Sequence, residues 1–229
     1  MLRQIADNTI PGSLASRFRG KRFAYFRQLL ERLPRPIRIV DIGGSIDYWR
    51  MMGFLPTSGV SITLVNLSTA TVSPPFHSVI GDARDLAQFQ DRAFDVAFSN
   101  SVIEHVGGAD DQQRMASEAM RVASHYFVQT PNRYFPVEPH FLVPGFQFMP
   151  NGLKAQLVTR FDLGFYAAPE IPKHEAREHA RTIRLLSASD LRRLFPGCVL
   201  YRERILGITK SLMAIGGWSD RPGTPRKEL

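Results

Sequence analysis

The chain has 229 residues, 44% of them apolar and 10% aromatic, a formal net charge of +8, and a single cysteine, Cys198. This suffices for one large domain or two small ones with a true core. One cysteine excludes an internal disulfide and a cysteine-built zinc cluster, and suits a reducing compartment. No stretch approaches the roughly eighteen consecutive apolar residues a membrane span needs, and the opening "MLRQIADNTIPGS" has no apolar signal core, so a cytoplasmic protein is expected.

The charge is concentrated at one end. Residues 1–38 hold nine Lys/Arg against two acids, a balance of +7. Within them Ser16–Leu33 reads as an amphipathic helix, with Phe26, Leu29, Leu30 and Leu33 at helical spacing and Arg19, Arg22, Arg27 and Arg32 at polar positions. Pro34 and Pro36 end it. Residues 1–36 are therefore read as a basic N-terminal helical arm. Such an arm can face an anionic membrane, a nucleic acid or a phosphorylated substrate, or simply be a solvated helix face.

Residues 37–218 are read as the main domain. Ile37–Asp41 is apolar almost throughout and ends in Asp and Gly, as a central parallel strand does. Ser61–Leu67 predicts a second strand, His77–Leu86 contains a short third, and a fourth begins at Phe94. Gln112–Ser124 is helical by composition, and His125–Pro131 is a fifth strand stopped by proline. Strands alternating with helix-length connections predict an α/β, Rossmann-like doubly wound sheet. Residues 132–184 break the rhythm. Prolines 136, 139, 144, 150, 169 and 172 argue against a long regular element there, and the stretch reads as an insertion over the mouth of the sheet. Ser187–Phe195 returns to helix, with Ser189 as its cap. "CVLYRERIL" and "KSLMAIGGW", joined by Gly207–Thr209, predict an antiparallel hairpin, and Cys198 is expected buried in its first strand. Residues 219–229 are expected to be disordered.

The polar residues fall where an α/β sheet binds ligands. Asp41, Asn66, Asp82 and Asn100 each end, or lie just past, one of the first four apolar runs, which suggests one extended nucleoside-like ligand across the strand tips. The stretch "IVDIGGSIDYW" lacks both the P-loop and the G-x-G-x-x-G pattern, and carboxylates at Asp41 and Asp47 would repel a pyrophosphate. They would tolerate a cationic ligand without phosphate, such as S-adenosylmethionine.

The ordered set "IVDIGG", "LVNL", "VIGDARDL", "FDVAFSNSVIEHV" and "YFVQTPN" resembles the consecutive motifs of class I S-adenosylmethionine-dependent methyltransferases, of a type 11-like kind, over roughly residues 37–217. The resemblance implies a seven-stranded sheet of order 3-2-1-4-5-7-6 closed by the antiparallel hairpin. It also implies S-adenosylmethionine as cofactor and S-adenosylhomocysteine as product. Gly43, Gly44 and Ser45 would let the backbone approach the methionine moiety, with Asp41 orienting its amino-acid end directly or through water. Asn66 and Leu67 would sit at the ribose, Asp82 and Ala83 at the adenine, and Asn100 and Ser101 near the transferable methyl. Ser45 and Asp47 stand where the family commonly has glycines, and Asn66 where it usually has an acid. The same departures suit a non-catalytic binding protein with a degenerate loop.

For the acceptor, the [DN]-P-P-[YF] signature of many adenine and amide N-methyltransferases is missing, the place reading "SNSV". His105 or His140, with Glu138, are candidate catalytic groups for a general base. Glu104, His105, Glu138 and His140 together are ligand types for a divalent metal. Tyr134, Phe135, Phe141, Phe146 and Phe148 either line an apolar acceptor pocket or form the core by which the insertion packs. The expected partner is a small-molecule or lipid-like acceptor. RNA is the second reading, because stacking aromatics are not interleaved with the basic residues.

Overall fold

The computed structural model describes residues 3–218 apart from 5, 6, 8, 9, 11, 55–58 and 167–170, so the 219–229 tail and Pro169 lie outside the described residues. Its elements in chain order are α1 (Leu14–Leu30), β1 (Ile37–Ile42), α2 (Ile46–Met51), β2 (Val60–Asn66), β3 (Phe76–Ile80), β4 (Phe94–Asn100), α3 (Ala109–Val122), β5 (Ala123–Pro131), a 3-10 turn (Phe146–Phe148), α4 (Asn151–Arg160), α5 (Lys173–Thr182), α6 (Ala188–Leu194), β6 (Val199–Ile205) and β7 (Ile208–Gly216). The seven strands form one sheet of order β3-β2-β1-β4-β5-β7-β6. Strands β1 to β5 run parallel, while β7 is antiparallel to both β5 and β6. Both the fold class and the strand order match the sequence expectation.

Alternation along the strands divides the core in two. On one face Val40, Ile42, Val65 and Ala97 pack against Met115, Ala116 and Ala119 of α3 and Leu191 and Leu194 of α6. On the other, Ile39, Ile62, Val96, Phe98 and Phe127 pack against Phe23, Phe26, Leu29 and Leu30 of α1 and Tyr48 and Trp49 of α2. Aromatic rings dominate this second face, with Phe26 4.6 Å and Trp49 5.3 Å from Phe98 between centroids. The basic helix is thus an apolar-faced layer of the sheet. Arg22 is buried with it, donating to Glu203 of β6 at 3.0 Å, and the Ser211 hydroxyl of β7 donates to the same carboxylate at 2.8 Å.

Three local readings are corrected. The cap of α6 is Ser187, whose side chain accepts from the Asp190 amide while Asp190 accepts in return; Ser189 lies inside the helix. The hairpin turn is only Leu206–Gly207, both at positive φ (49° and 82°), the type I′ geometry that matches strand twist, and Thr209 already pairs with Arg204. Cys198 precedes β6 and is half-buried against the first core cluster.

The insertion is more regular than its prolines suggested. Pro150 and Pro172 occupy the N-cap positions of α4 and α5, where a missing N–H costs nothing and the fixed φ helps start a helix. The two helices and the loop before them enclose their own small core of Phe141, Phe146, Val158, Ala176 and Ala180.

The buried Arg22–Glu203 pair yields a stability prediction. Arg22→Ala leaves a buried carboxylate unpaired and should destabilise the fold by about 3 kcal/mol or more. Replacing Arg22, Glu203 and Ser211 together by apolar residues of similar size should recover most of that loss. Urea unfolding of the two variants checks both.

Candidate functional site

The ends of β1, β2 and β4 and the loops after them build the first half of the site. At the tip of β1 the Asp41 carboxylate is 1% exposed, and Trp49 Nε1 donates to its Oδ2 at 2.7 Å. Burial pushes this carboxyl up to about 7, against the opposing effect of the Trp49 hydrogen bond. Gly44 lies directly against it: a Cβ there would sit 1.7 Å from Oδ2. Gly43 has φ +75°, and a Cβ on it would meet Val102 at 2.6 Å. Both glycines are therefore required by geometry as well as by any ligand. Asp41 lies against the loop, where its buried carboxylate supports the backbone of the cradle.

The two departures from the glycine pattern have structural work. Ser45 is the N-cap of α2, its hydroxyl accepting from the Tyr48 amide at 3.3 Å. Asp47 is in the first turn of α2, exposed and 3.6 Å from Arg50, where a negative charge favours the helix N-terminus. Asn66, at the end of β2, donates from Nδ2 to the Gly44 carbonyl at 2.8 Å. A carboxylate could not make this bond. The unusual asparagine and the shape of the loop are thus one feature. Next to it Leu67 is 79% exposed.

Asp82, past β3, is engaged by Arg84, whose Nε reaches Oδ1 at 2.9 Å and whose second nitrogen reaches Oδ2 at 2.5 Å. The Arg84 hydrogen bonds hold its carboxyl below the usual range. Any adenine amino group would share this carboxylate with Arg84, a partner that motif reading missed although it lies two residues on. Ala83 packs against the first core cluster. Asn100 ends β4 in register with Gln129, and Ser101 follows at φ +57° with its hydroxyl donating to Gln129 Oε1 at 3.0 Å.

The second half joins β4, β5 and the insertion. Glu104 is fully buried. Thr130 donates to its Oε2 at 2.9 Å, and Oε1 has no partner among the described residues. Burial pushes Glu104 up to about 7, partly offset by the charge of His140. Glu138 is buried as well: its Oε2 accepts the amides of His140 (2.8 Å) and Phe141 (2.7 Å), and its Oε1 meets His140 Nδ1 at 2.7 Å. Burial opposes charging of His140, but Glu138's hydrogen bond and charge, aided by Glu104, outweigh it, and the ring's pKa is raised. His105 stands edge-on to His140, centroids 4.8 Å apart. Burial and the neighbouring His140 and His179 push it down to about 4.

One carboxylate oxygen of Glu104 and one ring nitrogen of each histidine lie within 4.8 Å of one another. Glu138 is outside this set and takes the outer place that fixes a histidine's orientation. Metal–ligand bonds of about 2.1 Å put even opposite ligand atoms no more than about 4.2 Å apart, so the three groups would have to contract to hold an ion. Of the insertion aromatics, Phe141 and Phe146 belong to its core, whereas Tyr134 (64% exposed) and Phe148 (52%) stack on each other at the surface, 6.2 Å apart.

Comparison with known proteins agrees with this layout. Residues 47–125 match a protein family described as a methyltransferase domain. An S-adenosylmethionine-dependent methyltransferase from Methanosarcina mazei superposes with a TM-score of 0.51 at 14% identity, covering 82% of this chain and 94% of that one. The CurJ carbon methyltransferase superposes with a TM-score of 0.54 at 10% identity, covering 90% of this chain and 55% of that one. An uncharacterized protein of Mycobacterium tuberculosis, from strains CDC 1551 and H37Rv, is 41% identical over 56 residues, 24% of this chain; the match spans 19% of that relative's length. The strand order and the antiparallel hairpin give this chain the fold of the class I S-adenosylmethionine-dependent methyltransferases, and residues 47–125 match the methyltransferase domain.

The two histidines should titrate far apart. By NMR, His140 is expected to lose its proton above the ordinary histidine pKa of about 6.5, and His105 near 4. Glu138→Gln removes the negative partner, so the His140 midpoint should fall. An unchanged midpoint would show that Glu138 does not govern the ring.

Proposed function

We propose that the protein methylates a hydroxyl group of a small-molecule or lipid-like acceptor, with His140 as general base and S-adenosylhomocysteine as product. The observation that carries this reading is the buried Glu138–His140 pair, 2.7 Å apart, at the acceptor end of a methyltransferase sheet. S-adenosylmethionine, when bound, supplies an activated methyl group on a sulfonium. Gly43, Gly44 and Ser45 would cradle its methionine portion, Asn66 its ribose, and Asp82 with Ala83 its adenine, over which the exposed Leu67 would close an apolar wall. Asn100 and Ser101 would flank the methyl. The residues fit such a ligand: of the two carboxylates nearest the loop, Asp41 is buried and Asp47 is exposed beside Arg50.

The chain's own residues do little covalent chemistry. They position the acceptor, exclude water and take one proton. His105, neutral but weakly basic, is poorly suited to that proton at neutral pH. His140 is suited to it, because Glu138 stabilises the imidazolium that forms and holds the proton-bearing Nδ1 inward. A cytoplasmic location belongs to the same reading; among the described residues no helix is long and apolar enough to cross a membrane.

Two observations weigh against the alternatives. Ser45 and Asp47 cap and charge α2, a structural use that supports reading the loop as a working variant. Arg22 is consumed inside the fold and Arg19 lies over the Tyr48 ring at 5.3 Å, which reduces the basic surface an RNA-binding arm would need.

Titration calorimetry with S-adenosylmethionine and S-adenosylhomocysteine tests the reading. Both should bind the wild type. Asp82→Ala should weaken both, and Asn66→Asp, though it restores the family's usual acid, should also weaken them by breaking the bond to Gly44. Failure of a folded wild type to bind either ligand would sink the proposal. With an acceptor in hand, His140→Asn should lower kcat by about 10²–10⁴-fold. The wild-type rate should rise with pH through the elevated His140 pKa, because only the neutral ring accepts a proton.

A further inference from the structure

A cavity of about 400 Å³ opens between the insertion and the parent sheet, at the small end of the range for small-ligand pockets. Its lining includes four cationic residues, Arg133, Lys154, Arg181 and Arg184, and no aspartate or glutamate. They come from separate elements: Arg133 follows β5, Lys154 is on α4, Arg181 is in the last turn of α5 and Arg184 follows it.

Such a concentration of like charge is costly unless something neutralises it. Of the four, only Arg184 has a side-chain hydrogen bond among the described residues, to Gln112 Oε1, and that partner is neutral. Lys154 is 9% exposed yet makes no hydrogen bond or ion pair among the described residues; its amine lies 5.8 Å from the Phe146 ring centre. Burial lowers its pKa, a cost only partly offset by the charge of Glu138. A largely buried lysine without an acceptor, lining a cavity with three other cations, is arranged for an anion that arrives from outside.

We infer that this cavity binds the phosphoryl group of a small phosphorylated acceptor. A phosphate carries about two negative charges and three acceptor oxygens, and arginine forks match it bidentately. A single carboxylate would leave most of the cavity's charge unmatched. Gln147, also in the lining, offers one buried and unpartnered acceptor, Oε1, suited to a ligand hydroxyl. The cavity adjoins the proton-handling groups: Gly107 of its wall is two residues past His105, and the Arg184 amide donates to the Glu104 carbonyl at 2.9 Å. A phosphoryl group anchored there would hold the rest of its molecule beside His140. The acceptor role rests on the methyltransferase reading; the anion site does not.

Calorimetry of the full chain with inorganic pyrophosphate, at fixed ionic strength, separates the two. Saturable binding is expected. Lys154→Met, which keeps the side-chain volume, should weaken it at least tenfold, and the exposed Arg181→Gln several-fold, with S-adenosylhomocysteine affinity unchanged in both. No saturable binding, or binding that neither variant alters, overturns the site. A single-stranded RNA oligonucleotide that displaces pyrophosphate more efficiently per phosphate than a small phosphorylated compound does would overturn the small-acceptor assignment. If pyrophosphate binds as expected but S-adenosylhomocysteine does not, the anion site stands and the methyltransferase reading fails.

Discussion

The hydrogen bond from Trp49 to the Asp41 carboxylate is the constraint around which the glycine-loop end of the sheet is organised. It holds a carboxylate at the tip of the central strand among aromatic rings, where burial would otherwise disfavour it. It also fixes the distance between β1 and α2, because donor and acceptor belong to the two elements flanking the turn. The turn must then pass so close to the carboxylate that only glycine fits at position 44. Asn66 completes the arrangement from the neighbouring strand, pulling the Gly44 carbonyl toward β2. A loop with serine and aspartate at two of its usual glycine positions can keep one shape because side chains on three elements hold it.

The other end of the site is assembled differently. Glu104 and His105 come from the parent sheet, while Glu138 and His140 come from the loop that opens the insertion. The two sets meet because the insertion has a core of its own and is tied back to the sheet by backbone bonds, such as Arg184 to Glu104 and Arg133 to Leu186. Glu138 illustrates the economy of this loop. One buried carboxylate accepts two amides and orients a histidine, so the same group shapes the backbone and sets the basicity of the ring.

Much of the fold was legible in sequence because its signals are local. Apolar runs ending in Asp or Asn marked β1, β2 and β4, and the change from helix-linked to directly joined strands marked the hairpin. The glycine loop was legible only as an anomaly, since the compensating asparagine acts through a contact 22 residues away. The insertion was misread because proline was taken as a stop, whereas Pro150 and Pro172 begin helices. His105 and His140 were visible as residue types, but their edge-on contact and opposite pKa shifts were not. The cationic cavity was invisible: Arg133, Lys154, Arg181 and Arg184 share no period, and only the meeting of α4, α5 and the loop after β5 collects them.

The ion pair between Arg22 and Glu203 bears on how the chain comes together. Its partners are 181 residues apart, and the face that α1 covers is completed by Met213 and Ile215 of β7. During synthesis α1 emerges well before the strand carrying its ionic partner. Contacts of such long sequence separation slow folding because the loop must close before they contribute. Until then the aromatic face of α1 is covered incompletely and open to aggregation. The arginines on its outer side would keep that waiting helix soluble, a role for the N-terminal charge that does not depend on any ligand.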